Sequence, residues 1–589
     1  MIGGSEFNAR SLPASEIPEW FVPPESHFLP LTTRDHTVML GPRGSGKTTL
    51  LKMLTIKALN NWTASESKEY IPKIRFNAAM VPGDRLWGRQ IADIERDHPG
   101  IGEAIFVAHT IRALLRAMKD VIEVSEHGLR SELTHLKANM EPAKEKQFSE
   151  IASKAIRINI SLNSVAGLIF ELDSILANID ELKENRQFRY ENLTGMINAV
   201  VSAFNELSTA PTDRRWALLF DELEIAPEKI QTLLMSIIRS GEQRVVYKLA
   251  FAPFSPLVLD ESPAGPKRTH DYGVIPLTYA NKEDARTFIY QIAERLFLHH
   301  VNKLDDIKRI LGNSSYRVNH KTGNRMPDEF ISLQNKDESF ASYIKKNSVY
   351  RKNKLNENEK AQYIRKIAPI VKARDYYLSS YTNNRARRER SRKAHTLYHG
   401  YPTLLEAADG NPRALLTMLV PMAQTLMFEK PEGISKPITR VLQSEAIRRA
   451  ESLLVSLLNV IPAEVEGDNK KGLLGFVDRI GRRFEGRLLS GPFKPDLLTT
   501  FVVDDGVSDA EKFAVGQALN VGAIIHVPYL DANPDGILRG IEGMKFRLSY
   551  ALAPRYRLPL TLGDTVNLSS LLSPSAGVES DQLSFFQED

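Results

Sequence analysis

Short apolar runs alternate with longer segments whose apolar positions recur three and four apart through the first 280 residues. His36–Leu40, Ile74–Ala78, Trp216–Phe220, Val245–Phe251 and Gly273–Tyr279 read as strands, being short, apolar and mostly bounded by loop-forming residues. Thr48 to Leu59 follows the first of them with helical spacing, and Pro227 opens a helix running to Arg239. Between about Ile101 and Leu207, Leu, Ile and Ala return every third or fourth position between charges, which predicts a long helical insertion. Strands alternating with helices imply an α/β core with a parallel sheet.

Beyond Asn281 the pattern turns helical over Glu283–Leu296, passes through a basic stretch, and returns at Ala408 to an apolar helix. A helix at Glu511–Leu519 precedes strands at Ala523–Val527 and Met544–Tyr550, the element order of a winged helix. These shifts divide the chain into a core over 1–280 with its helical insertion at about 101–207, a helical lid over 281–440 with a basic insertion at about 301–395, and a winged-helix-like domain with a polar tail over 441–589.

At 589 residues the chain exceeds the usual single-domain size several times over, as that division requires. With 42% hydrophobic and 25% charged residues it has the composition of a folded protein, so disorder is not its dominant state. The absence of cysteine removes thiolate nucleophiles and cysteine zinc sites, leaving carboxylates, lysine, hydroxyls or a hard metal ion to carry any chemistry. No run of about 20 apolar residues is present to cross a membrane, and a cytoplasmic location is expected.

Gly41, Pro42, Arg43, Gly44, Ser45, Gly46, Lys47 and Thr48 satisfy G-x-x-x-x-G-K-[ST] between a strand and a helix. The glycines let the backbone wrap closely around phosphate, so that amides through Thr49 face the anion. Lys47 supplies a point charge to the β/γ-phosphates of ATP, and the Thr48 hydroxyl is placed to ligate Mg²⁺. Magnesium also needs a carboxylate at a neighbouring strand end, and Asp221, just after Trp216–Phe220, answers that need. Glu222, one residue on, is the candidate general base for an attacking water. Glu224 in the same acidic run reads more simply as a solvated loop residue.

These motifs resemble the AAA+ class of P-loop ATPases, and Gly410-Asn-Pro-Arg413 is similar to the sensor 2 motif of its origin-recognition and replication-initiator branch. The resemblance implies an ATPase, with Arg413 linking ATP occupancy to lid position. It implies a polar sensor after the fourth strand, where Ser255 is the candidate, and an arginine finger shortly before the fifth. Arg268 occupies that interval, with Arg239 and Arg244 as rivals. Some 174 positions separate Lys47 from Asp221, far more than a compact AAA+ core needs, which argues against replication initiation as the specific role.

Sixteen Lys/Arg against four Asp/Glu fall between Lys345 and Lys393, while the whole chain carries only +5. Tyr350, Tyr363, Tyr376, Tyr377 and Tyr381 interleave with these cations. Such a run neutralises phosphates without reading sequence, and Arg385, Arg387, Arg388, Arg390 and Arg392 are the best candidates for contacts to nucleic acid, double-stranded DNA above all. A solvated helix face or a disordered loop is the plainer reading of the same run. The expected assembly is a homo-oligomer on DNA. The alternative is an ATP-controlled switch or scaffold regulating a partner effector, for example in prokaryotic antiviral defence.

Overall fold

A computed structural model describes residues 9–81, 83, 91, 93–185, 187–209, 214–238, 244–255, 271–279, 282–301, 307–314, 326–347, 357–389, 396–429, 437–463, 465, 472–528, 538 and 540–573. The chain divides into two compact units, Met1–Leu277 and Thr278–Asp589.

The first unit is built on five parallel strands, β1 (Thr37–Leu40), β2 (Phe76–Val81), β3 (Arg215–Phe220), β4 (Val245–Phe251) and β5 (Gly273–Pro276), in the order β2-β3-β4-β1-β5. All four pairings are parallel. β1 and β4 are buried at every position, as expected for a sheet covered on both faces. Helices Ile101–His127, Pro142–Ile156, Val165–Ala177, Ile179–Glu184 and Tyr190–Leu207 fill the interval between β2 and β3. Phe204 anchors them, its ring edge-on to Phe148 at 5.5 Å and to Trp216 of β3 at 5.4 Å. Three large apolar side chains of this insertion, Ile151, Leu162 and Phe170, remain exposed.

The helical spacing after Thr48 is realised as two short helices, Lys47–Lys52 and Ile56–Asn61. Between them the amide of Leu54 bonds the Leu51 carbonyl, a tighter i→i−3 turn, and the Thr55 hydroxyl donates to the Lys52 carbonyl. Ahead of β1, Phe21 and Phe28 pack edge-on against each other and against Trp62, tying the N-terminal segment to the core.

The second unit mixes helices with two small sheets. Within the basic stretch, β6 (Leu378–Thr382) and β7 (Arg385–Arg388) form an antiparallel hairpin, where the sequence suggested a helix face or a loop. Its two-residue turn, Asn383-Asn384, has φ of 51° and 57°, the left-handed pair that suits a tight hairpin and that asparagine tolerates. Nearer the C-terminus, β8 (Leu498–Val502), β9 (Ile524–His526), β10 (Lys545–Leu548) and β11 (Asp564–Asn567) stand in the order β11-β8-β10-β9. Helix Asp509–Asn520 lies between β8 and β9, opened by a capping box of Ser508 and Glu511. Helix Pro412–Glu429 begins beside this sheet. Asp409, three residues ahead of it, accepts from Arg547 Nη2 at 2.8 Å and from Ser549 Oγ at 2.7 Å, and the amide of Tyr550 adds a third donor.

Candidate active site

Parallel strands end on the same edge of their sheet, and β4 lies between β1 and β3. The loops after β1, β3 and β4 therefore meet there. The first is the glycine loop. Gly44 and Gly46 hold φ of 87° and 98°, and a Cβ on Gly41 would stand 2.4 Å from Ser45 Oγ. Both facts explain the glycines: two positions need the left-handed region, and the third leaves no room for a side chain. Helix Lys47–Lys52 starts from Gly46 without a side-chain cap, so its first amides stay available for an anion.

The loop after β3 brings the acidic group. Thr48 Oγ1 donates to Asp221 Oδ2 at 2.6 Å, and Asp221 Oδ1 accepts the amide of Glu222 at 2.9 Å. Lys47 is buried beside them, its Nζ 2.6 Å from the Gly41 carbonyl and 3.5 Å from Glu224 Oε1. Burial pushes the Asp221 carboxyl above its ordinary range, with Glu224 adding to the shift and Thr48 and Lys47 opposing it. Glu222 is displaced the same way by burial and then by the neighbouring Asp221, against Arg10. Its φ of 51° places a non-glycine residue in the left-handed region, the kind of local strain that concentrates at functional sites.

The site fits a phosphate ligand with a hard cation. Ser45 Oγ is buried in the glycine loop with no hydrogen-bond partner, a polar atom facing a cradle without protein to satisfy it. Among the described residues no three carboxylates or histidines converge on one point. Mg²⁺ takes one or two protein oxygens and completes its shell with phosphate and water. Thr48 and Asp221 are the pair that could hold such an ion.

The other candidates are placed unevenly. Ser255 is buried four residues after β4, which lies between the strands that carry the glycine loop and Asp221. Arg268 and its rival Arg239 lie outside the described residues, and Arg244 donates to Ser202 Oγ at 2.5 Å. Arg413 sits exposed in the first turn of Pro412–Glu429, where Asn411 Oδ1 caps its amide at 3.0 Å. In the basic hairpin Arg385 and Arg387 are exposed, whereas Arg388 donates to buried Glu485 at 2.9 Å, which also takes Arg557. Arg390, Arg392 and Tyr350 lie outside the described residues. Arg374, part of the same basic run, is fully buried on Asp337 at 2.6 Å, and Tyr377 and Tyr381 are core residues rather than stacking platforms.

Sequence reasoning missed three participants. Arg10 donates to Glu222 Oε2 and, at 2.7 Å, to the carbonyl of Gly83. Gly83 packs so closely that a Cβ there would fall 2.2 Å from the Asp221 carbonyl oxygen. Lys52, at the end of the P-loop helix, donates to the carbonyls of Ala9 at 2.6 Å and Leu12 at 2.8 Å, fixing the segment that carries Arg10. No helix among the described residues is long and apolar enough to cross a membrane.

A family model described as ORC-CDC6-like matches residues 5–568. Comparison with curated proteins and with solved structures finds no match.

Proposed function

The chain belongs to the ORC-CDC6-like family and is an AAA+ ATPase, and we propose that it couples the state of bound ATP to contact with nucleic acid. The observation that carries the nucleotide reading is the 2.6 Å bond from Thr48 to Asp221, because it joins the glycine loop and the acidic strand end in one buried cluster. In this reading Lys47 binds the β/γ-phosphates and Thr48 and Asp221 hold Mg²⁺, which neutralises charge on the transferring phosphoryl group. Glu222 orients and deprotonates the attacking water, with Ser255 helping to place it. Arg413 responds from the lid, and Arg268 completes the site of a neighbouring subunit.

Exposed Arg385 and Arg387 on the hairpin support duplex DNA as the ligand, through phosphate neutralisation. The C-terminal sheet supports a winged-helix reading, since helix Asp509–Asn520 precedes β9 and β10, which pair antiparallel. That helix opens with Asp509 and Glu511, and its Lys512 is engaged by Glu542, so the cationic contact falls to the hairpin. Exposed Ile151, Leu162 and Phe170 favour a second reading, in which the insertion engages an effector protein under ATP control.

The test is steady-state ATP hydrolysis with and without double-stranded DNA, at low and moderate salt. Stimulation that fades with salt supports the coupling; turnover indifferent to DNA moves the weight to the effector. Lys47→Ala should lose ATP binding, and Glu222→Gln should bind ATP while hydrolysing it at least about 10²-fold more slowly.

A further inference from the structure

Glu222 does not face the site free. One of its carboxylate oxygens, Oε2, takes the Arg10 guanidinium, whose same nitrogen also reaches the Gly83 carbonyl. The arrangement is built rather than incidental. Lys52 holds the backbone on both sides of Arg10 through the carbonyls of Ala9, Arg10 and Leu12, and Ala9, Leu12 and Ala14 pack against the core. Lys52 belongs to the helix that begins with Lys47, so the segment bearing Arg10 is fastened to the P-loop helix itself.

A general base needs a lone pair directed at the water it activates. With Oε2 held by a guanidinium, the orientation of the carboxylate is set by Arg10 rather than by a water. The Arg10 and Glu222 side chains are 39% and 28% exposed, and an ion pair at such a site is weak enough to open.

We propose that Arg10 is a positioning residue that latches Glu222 out of the hydrolytic geometry, and that turnover requires the latch to open. The proposal rests on the ATPase reading. Opening leaves the bound phosphates untouched, so it acts on the chemical step rather than on ATP affinity. The N-terminal segment thereby becomes a control element: whatever draws residues 9–14 away from Lys52 releases the base.

Two measurements test this. In Arg10→Ala, basal kcat should rise about fivefold, the factor at the upper end for an exposed ion pair, with KM for ATP unchanged. Arg10→Lys, which keeps the charge, should return kcat to within about twofold of the parent. A kcat at or below the parent in Arg10→Ala, or a raised KM with kcat unchanged, overturns the latch. The second measurement needs no nucleotide. Tryptic cleavage between Arg10 and Ser11, read by mass, should be several-fold faster in Glu222→Ala than in the parent or in Glu224→Ala. Equal rates in all three show that no pair protects Arg10 and overturn the proposal. A parent protein that binds no ATP would sink the ATPase reading and the latch together, whereas one that hydrolyses ATP with an indifferent Arg10→Ala sinks the latch alone.

Discussion

The Thr48 hydroxyl and the Asp221 carboxylate meet at 2.6 Å across 173 residues of sequence. Most of that interval is strand β2, the helical insertion and β3, so the site closes only when the insertion folds and returns the chain to the sheet. Replacing Thr48 with valine keeps the shape and removes the donor and the metal-binding oxygen. We expect the Mg²⁺ concentration giving half-maximal hydrolysis to rise about tenfold or more, on the scale of losing one hydrogen bond to a charged group. An unchanged magnesium dependence would place the ion elsewhere.

Gly83→Ala tests the packing behind the acidic group. Its Cβ would stand 2.2 Å from the Asp221 carbonyl oxygen and 3.0 Å from Glu222 Cβ, and backbone cannot yield as a flexible side chain does. The expected cost is about 1–3 kcal/mol, seen as a lower urea midpoint, together with reduced turnover. Wild-type values for both would mean that the strand end shifts freely.

The basic hairpin separates two kinds of arginine. Charge reversal at Arg385 and Arg387 should weaken duplex DNA binding and lower the slope of log K against log salt by about 0.9 for each phosphate no longer neutralised. Arg388→Glu should act differently, because it sets a second carboxylate against buried Glu485. Thermal unfolding should fall for Arg388→Glu and hold for the other two. The opposite pattern would reassign the face.

Lys248, on the central strand β4, is fully buried, its ammonium donating to the carbonyls of Thr33 and Asp35 and to Thr37 Oγ1 at 2.8–2.9 Å. Burial pulls its pKa down to about 7, with Asp35 opposing. Below about pH 7 the folded protein carries the buried charge at full cost. Between there and the ordinary value of 10.5 the unfolded chain binds the extra proton, so stability rises with pH. Urea unfolding of the parent and of Lys248→Met at pH 6, 7.5 and 9 should show the parent gaining on the variant as pH increases; parallel curves would reject this.

The parts of the site legible in the sequence are those made by contiguous residues. The glycine loop, its lysine and the acidic strand end announce themselves because each motif sits on one strand and its following turn. Strand order is different: nothing in β4 itself says that it stands between β1 and β3, since that order comes from which strands pair. The charge run misleads for a related reason. Arg388 finds its counter-charge 97 residues away in Glu485, and Arg374 finds Asp337, which lies just ahead of the basic stretch in sequence. Arg10 is invisible in the sequence because its partner is 212 residues distant and a lone arginine carries no periodicity.

Three donors from β10 and the residues just after it converge on Asp409, immediately ahead of the helix that carries Arg413. The helix start is thereby tethered to the sheet. A tilt of that helix therefore pulls on bonds anchored in the C-terminal sheet, which joins the helix start to that sheet as a crank is joined to its shaft.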